Sequence, residues 1–306
     1  MRGLKVAAVV AAAVAVSGAG AFAAAVAFFP FETSVALRKL ALRRGGVRAV
    51  RAATLAGLER DDCVAGAPCR CVALVHGMGD SSLTWDKVML GLGVPPPPAG
   101  TRVLALDLPG TGDSVAPATP AGYGVPEQAR ALKDALASRC PKWTVAGNSL
   151  GGWISAELAL QWPEGVEELV LVNAAGLYDD SGLLLQTAKI LSDPTVATLK
   201  DFVGRAYAKP RAVPSRAWQA VVDSMKARPI KEVYAAFRLE DVLDRRARAI
   251  RAPTVILWGE ADRVVPASMA TRMAKLIPGA RLELIPDCGH LPQQECPLPV
   301  SRALGF

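Results

Sequence analysis

Histidine is nearly absent from this chain. Its 306 residues include only two, His76 and His290. That scarcity leaves the six cysteines (Cys63, Cys69, Cys71, Cys140, Cys288 and Cys296) without the histidine partners of common zinc sites. Cys69-Arg70-Cys71 has neither a metal-binding nor a redox spacing. No metal or cofactor is implied. Internal repeats are lacking, and the composition excludes collagen-like or extensively disordered classes. Acidic side chains are also missing where basic ones gather. Residues 1–51 carry eight of the 35 Lys and Arg but only Glu32 among the 28 acids. The net charge of +7 therefore sits in that segment, and the remaining body is neutral. A body without net positive charge gives no electrostatic footprint for nucleic acid.

Charge is wholly absent from Val6 to Phe31. As a helix, residues 6–29 would reach about 36 Å, enough to cross a hydrocarbon core of about 30 Å. The expectation is an N-terminal membrane anchor or signal segment over 1–31, then a basic juxtamembrane segment over 32–51. A single-pass anchor fits the length and the basic residues behind it. Export after cleavage near Ala21-Phe22-Ala23 is the alternative. The basic residues after the span favour a cytoplasmic body, whereas an even number of cysteines leans towards an oxidising compartment.

From residue 71 onwards the pattern alternates. Short apolar runs occur at Cys71–Val75, Arg102–Leu106, Trp143–Ala146, Glu168–Val172, Thr254–Trp258 and Arg281–Ile285. Such runs suit strands buried on both faces. Helical spacing appears over Pro126–Ser138, Leu150–Gln161 and Ser268–Leu276. Strand alternating with helix predicts an α/β fold with a mostly parallel, doubly wound sheet. Residues 47–70 suggest edge strands and turns. The stretch 176–251 holds no convincing strand, is too long for a plain loop, and reads as a helical cap within a domain spanning 52–306.

The chemistry concentrates at strand ends. In Trp143–Gly152 (WTVAGNSLGG) a buried strand runs into Gly147-Asn148-Ser149-Leu150-Gly151 and then a helix. That is G-x-S-x-G in strand–turn–helix context, which presents the serine hydroxyl above the sheet. A serine hydroxyl needs a base. His290 follows the last strand and fits that role. His76 follows the first clear strand and stands beside the site, either touching substrate or shaping its loop. The carboxylate that orients the base is Asp262, 28 residues earlier, with Glu260 as rival. The order Ser149, Asp262, His290 suits this arrangement. Backbone N–H groups of Leu150 and Met78 are the expected oxyanion donors. Gly77, Trp85 and Trp153 are candidates to line the substrate pocket. Asp107 and Asp113 fit a tight turn better than a metal site.

Five segments together resemble the successive signature blocks of the α/β-hydrolase superfamily: LVHGMGDSSLTW, LALDLPGTGDS, VAGNSLGGW, APTVILWGEADRVVP and IPDCGHLPQQECP. The resemblance spans 74–297. It implies Ser149, Asp262 and His290 as triad, Met78 and Leu150 as oxyanion donors, and a cap between the sixth and seventh strands. An anchor ahead of such a body is similar to membrane-anchored monoacylglycerol lipases and bacterial esterases, by architecture alone. The implied activity is hydrolysis of carboxylic, lipid-like acyl esters. Ser149 departs from haloalkane dehalogenases and epoxide hydrolases, which carry Asp there. Meta-cleavage-product C–C hydrolases resemble the chain at Gly147-Asn148-Ser149, but Leu291 stands where they usually carry Trp. Their acidic substrates would call for cap cations such as Arg205, Lys209 or Arg211. A non-catalytic binding protein on the same fold is the third reading. The usual sheet order of the fold would also bring Cys69 or Cys71 near Cys140, where a disulfide is expected.

Overall fold

Each apolar run becomes a strand because both of its faces are covered. In the computed structural model, which describes residues 25, 27–210 and 212–306, β3 (Arg70–Val75), β4 (Thr101–Leu106), β5 (Trp143–Asn148), β6 (Val166–Val172) and β7 (Thr254–Gly259) form the sheet centre. Their side chains alternate between two cores, as a two-residue period requires. Ala73, Val75, Leu104, Val145, Leu171 and Ile256 face one core. Val72, Leu74, Val103, Ala146, Val170 and Leu257 face the other.

The sheet has eight strands in the order β1-β2-β4-β3-β5-β6-β7-β8. The strands β1 (Arg48–Ala52) and β2 (Leu55–Asp61) make an antiparallel hairpin whose second strand runs antiparallel to β4. Every other pairing is parallel, out to β8 (Arg281–Ile285). Parallel strands need crossovers: α3 (Val125–Leu136) carries the chain from β4 past β3 to β5, and α4 (Leu150–Gln161) carries it from β5 to its neighbour β6.

Ahead of the sheet, helix α1 (Pro30–Arg44) packs on α2 (Asp86–Leu90). Arg38 clamps that junction through Asp86 at 2.6 Å. The expected anchor falls mostly on residues 1–24 and 26, outside the described residues. Among the described residues no helix is long and apolar enough to cross a membrane. The basic stretch 32–51 is part of the body at its end, since Arg48–Ala52 pairs into the sheet.

Between β6 and β7 lie α5 (Leu183–Ser192), α6 (Val196–Ala206), α7 (Ala217–Lys226), α8 (Ile230–Ala235) and three single 3-10 turns, with no strand among the described residues. This insertion has a small core of its own, built from Leu191, Leu199, Trp218, Val222 and Ile230. After it come α9 (Ala267–Leu276), α10 (Pro292–Glu295) and α11 (Pro297–Ala303).

All six cysteines are paired: Cys63–Cys69, Cys71–Cys140 and Cys288–Cys296. The expected bridge to Cys140 comes from Cys71, the first buried residue of β3, while Cys69 pairs locally. Cys71–Cys140 spans 69 positions, so constraining the unfolded chain there is worth about 4 kcal/mol. Urea unfolding of Cys71→Ala/Cys140→Ala should show a loss of that order. Titration of the unfolded, unreduced protein should find no thiol, and six free thiols would contradict the pairing.

Candidate active site

Strand β5 ends in a turn that only small neighbours permit. Ser149 has φ 55° and ψ −122°, in the left-handed half of backbone space. A Cβ on Gly147 would lie 2.1 Å from the Gly151 carbonyl oxygen, and one on Gly151 would lie 2.4 Å from that of Val75. The strained residue is held from both sides. Its N–H donates to the Val172 carbonyl at 3.1 Å, and its carbonyl accepts from Gly152, Trp153 and Ala175. Leu150 opens α4, so its N–H is one of the four without an intrahelical partner.

The loop after β3 approaches Ser149 closely, because Gly77 lacks a side chain. A Cβ there would come within 3.1 Å of the Ser149 Cβ. His76 shapes this loop. Its Nε2 accepts from Leu108 N–H at 2.9 Å, and its Nδ1 lies 2.8 Å from the Gly77 carbonyl. These two bonds assign a neutral ring with the proton on Nδ1. Burial holds the imidazole below its ordinary value of 6.5. From the cap, Arg228 Nη1 donates to the Gly79 carbonyl.

His290 is fixed by a carboxylate whose bonding is complete. Nδ1 of His290 meets Asp262 Oδ2 at 2.7 Å, with both side chains buried. The same oxygen accepts from Asn173 Nδ2 at 2.6 Å. Oδ1 accepts the N–H groups of Val264 at 2.7 Å and Val265 at 3.0 Å. Glu260, the rival, is exposed. An imidazole held this way carries its proton on Nδ1 and leaves Nε2 to accept.

Ser149, His290, Gly77, Met78 and Leu150 share the wall of one cavity of about 550 Å3. Trp153, Leu191, Phe202, Val203, Met225 and Phe237 make its lining largely apolar. Trp153 also donates its indole N–H to the Asp241 carbonyl at 3.1 Å, and its ring lies 5.3 Å from that of Phe237. Two expected pocket residues lie elsewhere. Trp85 is fully buried in the core on the opposite face of the sheet, where a 3-10 turn over Ser82–Trp85 carries it. His76 is outside the cavity wall because both ring nitrogens are turned to backbone. Asp107 takes the Ser82 N–H at 2.7 Å, which is a loop-holding role.

Two asparagines complete the arrangement, and sequence reasoning missed both. Asn173 joins the Asp262 carboxylate to Gly259 N–H, which donates to its Oδ1 at 3.1 Å. Asn148 donates to the His290 carbonyl at 3.0 Å. Their only signal was position, each at the carboxyl end of a buried strand.

Comparison with known proteins decides the family. The family model described as the alpha/beta hydrolase fold matches residues 71–296. The chain belongs to the α/β-hydrolase fold family. Among curated relatives, a Klebsiella pneumoniae 2-hydroxy-6-oxononadienedioate/2-hydroxy-6-oxononatrienedioate hydrolase is 30% identical over 73% of this chain and 82% of its own. Among solved structures, a bacterial membrane phospholipase A superposes with a TM-score of 0.73 at 24% identity, over 100% of this chain and 97% of that one. A hydrolase of Pseudomonas aeruginosa gives 0.66 at 26% identity, over 85% and 97%. In this α/β-hydrolase the sixth and seventh strands bracket the helical insertion.

His76 generates a pH prediction. Its pKa is lowered in the folded protein, so the unfolded chain binds more protons below about pH 6.5. The stability linked to this ring is fully present above the unfolded value and is lost as pH falls through the folded one. The urea midpoint should drop more between about pH 7.5 and about pH 5.5 in wild type than in His76→Asn. Equal drops would show that the ring is not held neutral by burial.

Proposed function

We propose that this α/β-hydrolase cleaves carboxylic esters with long apolar acyl groups through an acyl-enzyme. One observation carries the reading: Ser149 and His290, whose ring Asp262 holds, open into an apolar cavity. Ser149 Oγ attacks the ester carbonyl while His290 Nε2 takes its proton. Asp262 holds the tautomer and stabilises the imidazolium. The N–H groups of Leu150 and Met78 receive the oxyanion. His290 then gives its proton to the leaving alcohol, and water, activated by the same base, releases the acid. Gly77 lets the backbone lie against the nucleophile.

The curated relative at 30% identity is named for a dianionic substrate, and C–C bond hydrolysis is the second reading. The cavity disfavours that reading here. Arg238 is the only Lys or Arg on its described wall, and Asp80 and Asp179 share that wall. Of the cap cations considered for such a substrate, Arg205 pairs with Asp201 at 3.1 Å and Lys209 lies 3.9 Å from Asp287. Neither lines the cavity, and Arg211 is outside the described residues.

The N-terminal segment is assigned as a single-pass membrane anchor, with export after cleavage as the alternative. Support comes from the charge-free run and from the residues behind it. Phe28 and Phe29 are 68% and 44% exposed, and α1 presents Leu37 and Leu40 beside Lys39, Arg43 and Arg44. A surface of apolar and basic side chains suits an anionic lipid interface. Three disulfides support a body on the oxidising side of that membrane, against the lean of the basic residues.

The test is hydrolysis of p-nitrophenyl esters from acetate to palmitate, by carbonate-washed membranes and by the released fraction of cells making wild type or variants. The expected optimum is a long chain, with activity in the washed membranes. Ser149→Ala should abolish turnover, and Asp262→Asn should lower kcat by about 10⁴. Activity in the released fraction alone would favour the exported form. A folded protein with no turnover at any length would sink the ester reading in favour of C–C hydrolysis or ligand binding.

A further inference from the structure

The loop that carries the base is sewn to the cap by a carboxylate that the reaction does not consume. Glu295 ends α10, five positions beyond His290. Its Oε2 accepts the Gly289 N–H at 2.7 Å and the Ala208 N–H at 3.1 Å. Its Oε1 accepts the Lys209 N–H at 2.8 Å. Alongside, the His290 N–H donates to the Ala206 carbonyl at 2.6 Å. These four bonds join residues 289–290 to residues 206–209, where α6 of the cap ends. Gly289 makes the approach possible, because a Cβ there would lie 2.3 Å from the Ala206 oxygen and 2.9 Å from Glu295 Oε2. The Cys288–Cys296 bridge ties the two ends of the same loop together.

We propose that Glu295 is a positioning residue for His290. Its carboxylate clamps the base loop to the end of α6 and so sets where the imidazole stands relative to Ser149. The proposal rests on the hydrolase reading of this site. Asp262 fixes the ring at Nδ1, but the Cα of His290 is placed by its backbone, and that backbone is held by Ala206, by Asn148 and, through Gly289, by Glu295. Hydrogen bonds to an ionised acceptor are the stronger kind, and three on one carboxylate hold a loop in one place. A misplacement of about 1 Å at a reacting group costs on the order of 100-fold in rate.

The chemistry requires the acid and not its amide. All three groups facing Glu295 are N–H donors. An amide nitrogen at either oxygen position would face donor with donor. Glu295→Gln therefore keeps the size and loses the clamp.

The test compares full-length wild type, Glu295→Gln and Glu295→Ala, with Ser149→Ala as blank. The readouts are the rate of covalent labelling by a fluorophosphonate, kcat and KM on the preferred ester, and the thermal midpoint. The expected result for Glu295→Gln is a fall of roughly 10- to 100-fold in kcat and in labelling rate. KM should stay within about twofold and the midpoint near wild type, and Glu295→Ala should lose at least as much kcat. Wild-type rates in Glu295→Gln would overturn the clamp. So would a loss confined to KM, or a Glu295→Gln protein that does not fold, either of which would give Glu295 a different role. Wild type that the fluorophosphonate does not label would instead overturn the hydrolase reading on which the clamp rests.

Discussion

Ser149 sits in a backbone conformation that a side chain disfavours, and the surrounding structure holds it there. Such a residue costs about 1–3 kcal/mol and persists only where its neighbours over-determine it. Here β5 ends buried on both faces, α4 begins at the next residue, and Gly147, Gly151 and Gly152 let main chain pass where any Cβ would collide. A Cβ on Gly152 would lie 2.5 Å from that of Ala174. The sheet cannot relax this turn without separating β5 from β3 and β6, so the strain is carried by the core. The result is a hydroxyl fixed at a helix N-terminus, above the carboxyl edge of the sheet.

The rest of the site depends on that edge. In a parallel sheet the carboxyl ends of the strands share one edge, so the loops after β3, β5, β6, β7 and β8 lie along it together. They supply in turn Gly77 and Met78, Ser149, Asn173, Asp262 and His290. The cap closes over them and is bonded to three of the loops. Arg228 holds the Gly77–Gly79 turn, the Arg205 carbonyl accepts the Arg263 N–H beside Asp262, and Glu295 joins the end of α6 to the His290 loop. A cap attached at these points fixes the cavity walls relative to Ser149 and His290, where a freely hinged one would not.

Much of this was legible from the chain. Continuous apolar runs such as CVALV mark strands covered on both faces, and G-x-S-x-G between a strand and a helix marks the elbow. Asp262 and His290 were legible because each follows a strand in a short loop. What was hidden depends on contacts between distant residues. Asn173 is an ordinary loop asparagine until the fold brings it against Asp262, 89 positions away. Trp85 follows a glycine-rich loop next to the site, but nothing local says which face of the sheet its ring takes. The local disulfides Cys63–Cys69 and Cys288–Cys296 were equally silent, since short separations allow several pairings. Arg205 and Lys209 looked available to an acidic substrate, and only their placement outside the cavity wall removes them.

The central claim is that Ser149 forms a covalent acyl intermediate, and the most direct measurement is mass spectrometry on acid-quenched protein. Wild type reacted briefly with p-nitrophenyl palmitate should gain the mass of one palmitoyl group on the peptide containing Ser149, and Ser149→Ala should gain none. Hydrolysis that proceeds with no adduct on that peptide, or an equal adduct in Ser149→Ala, would contradict the account.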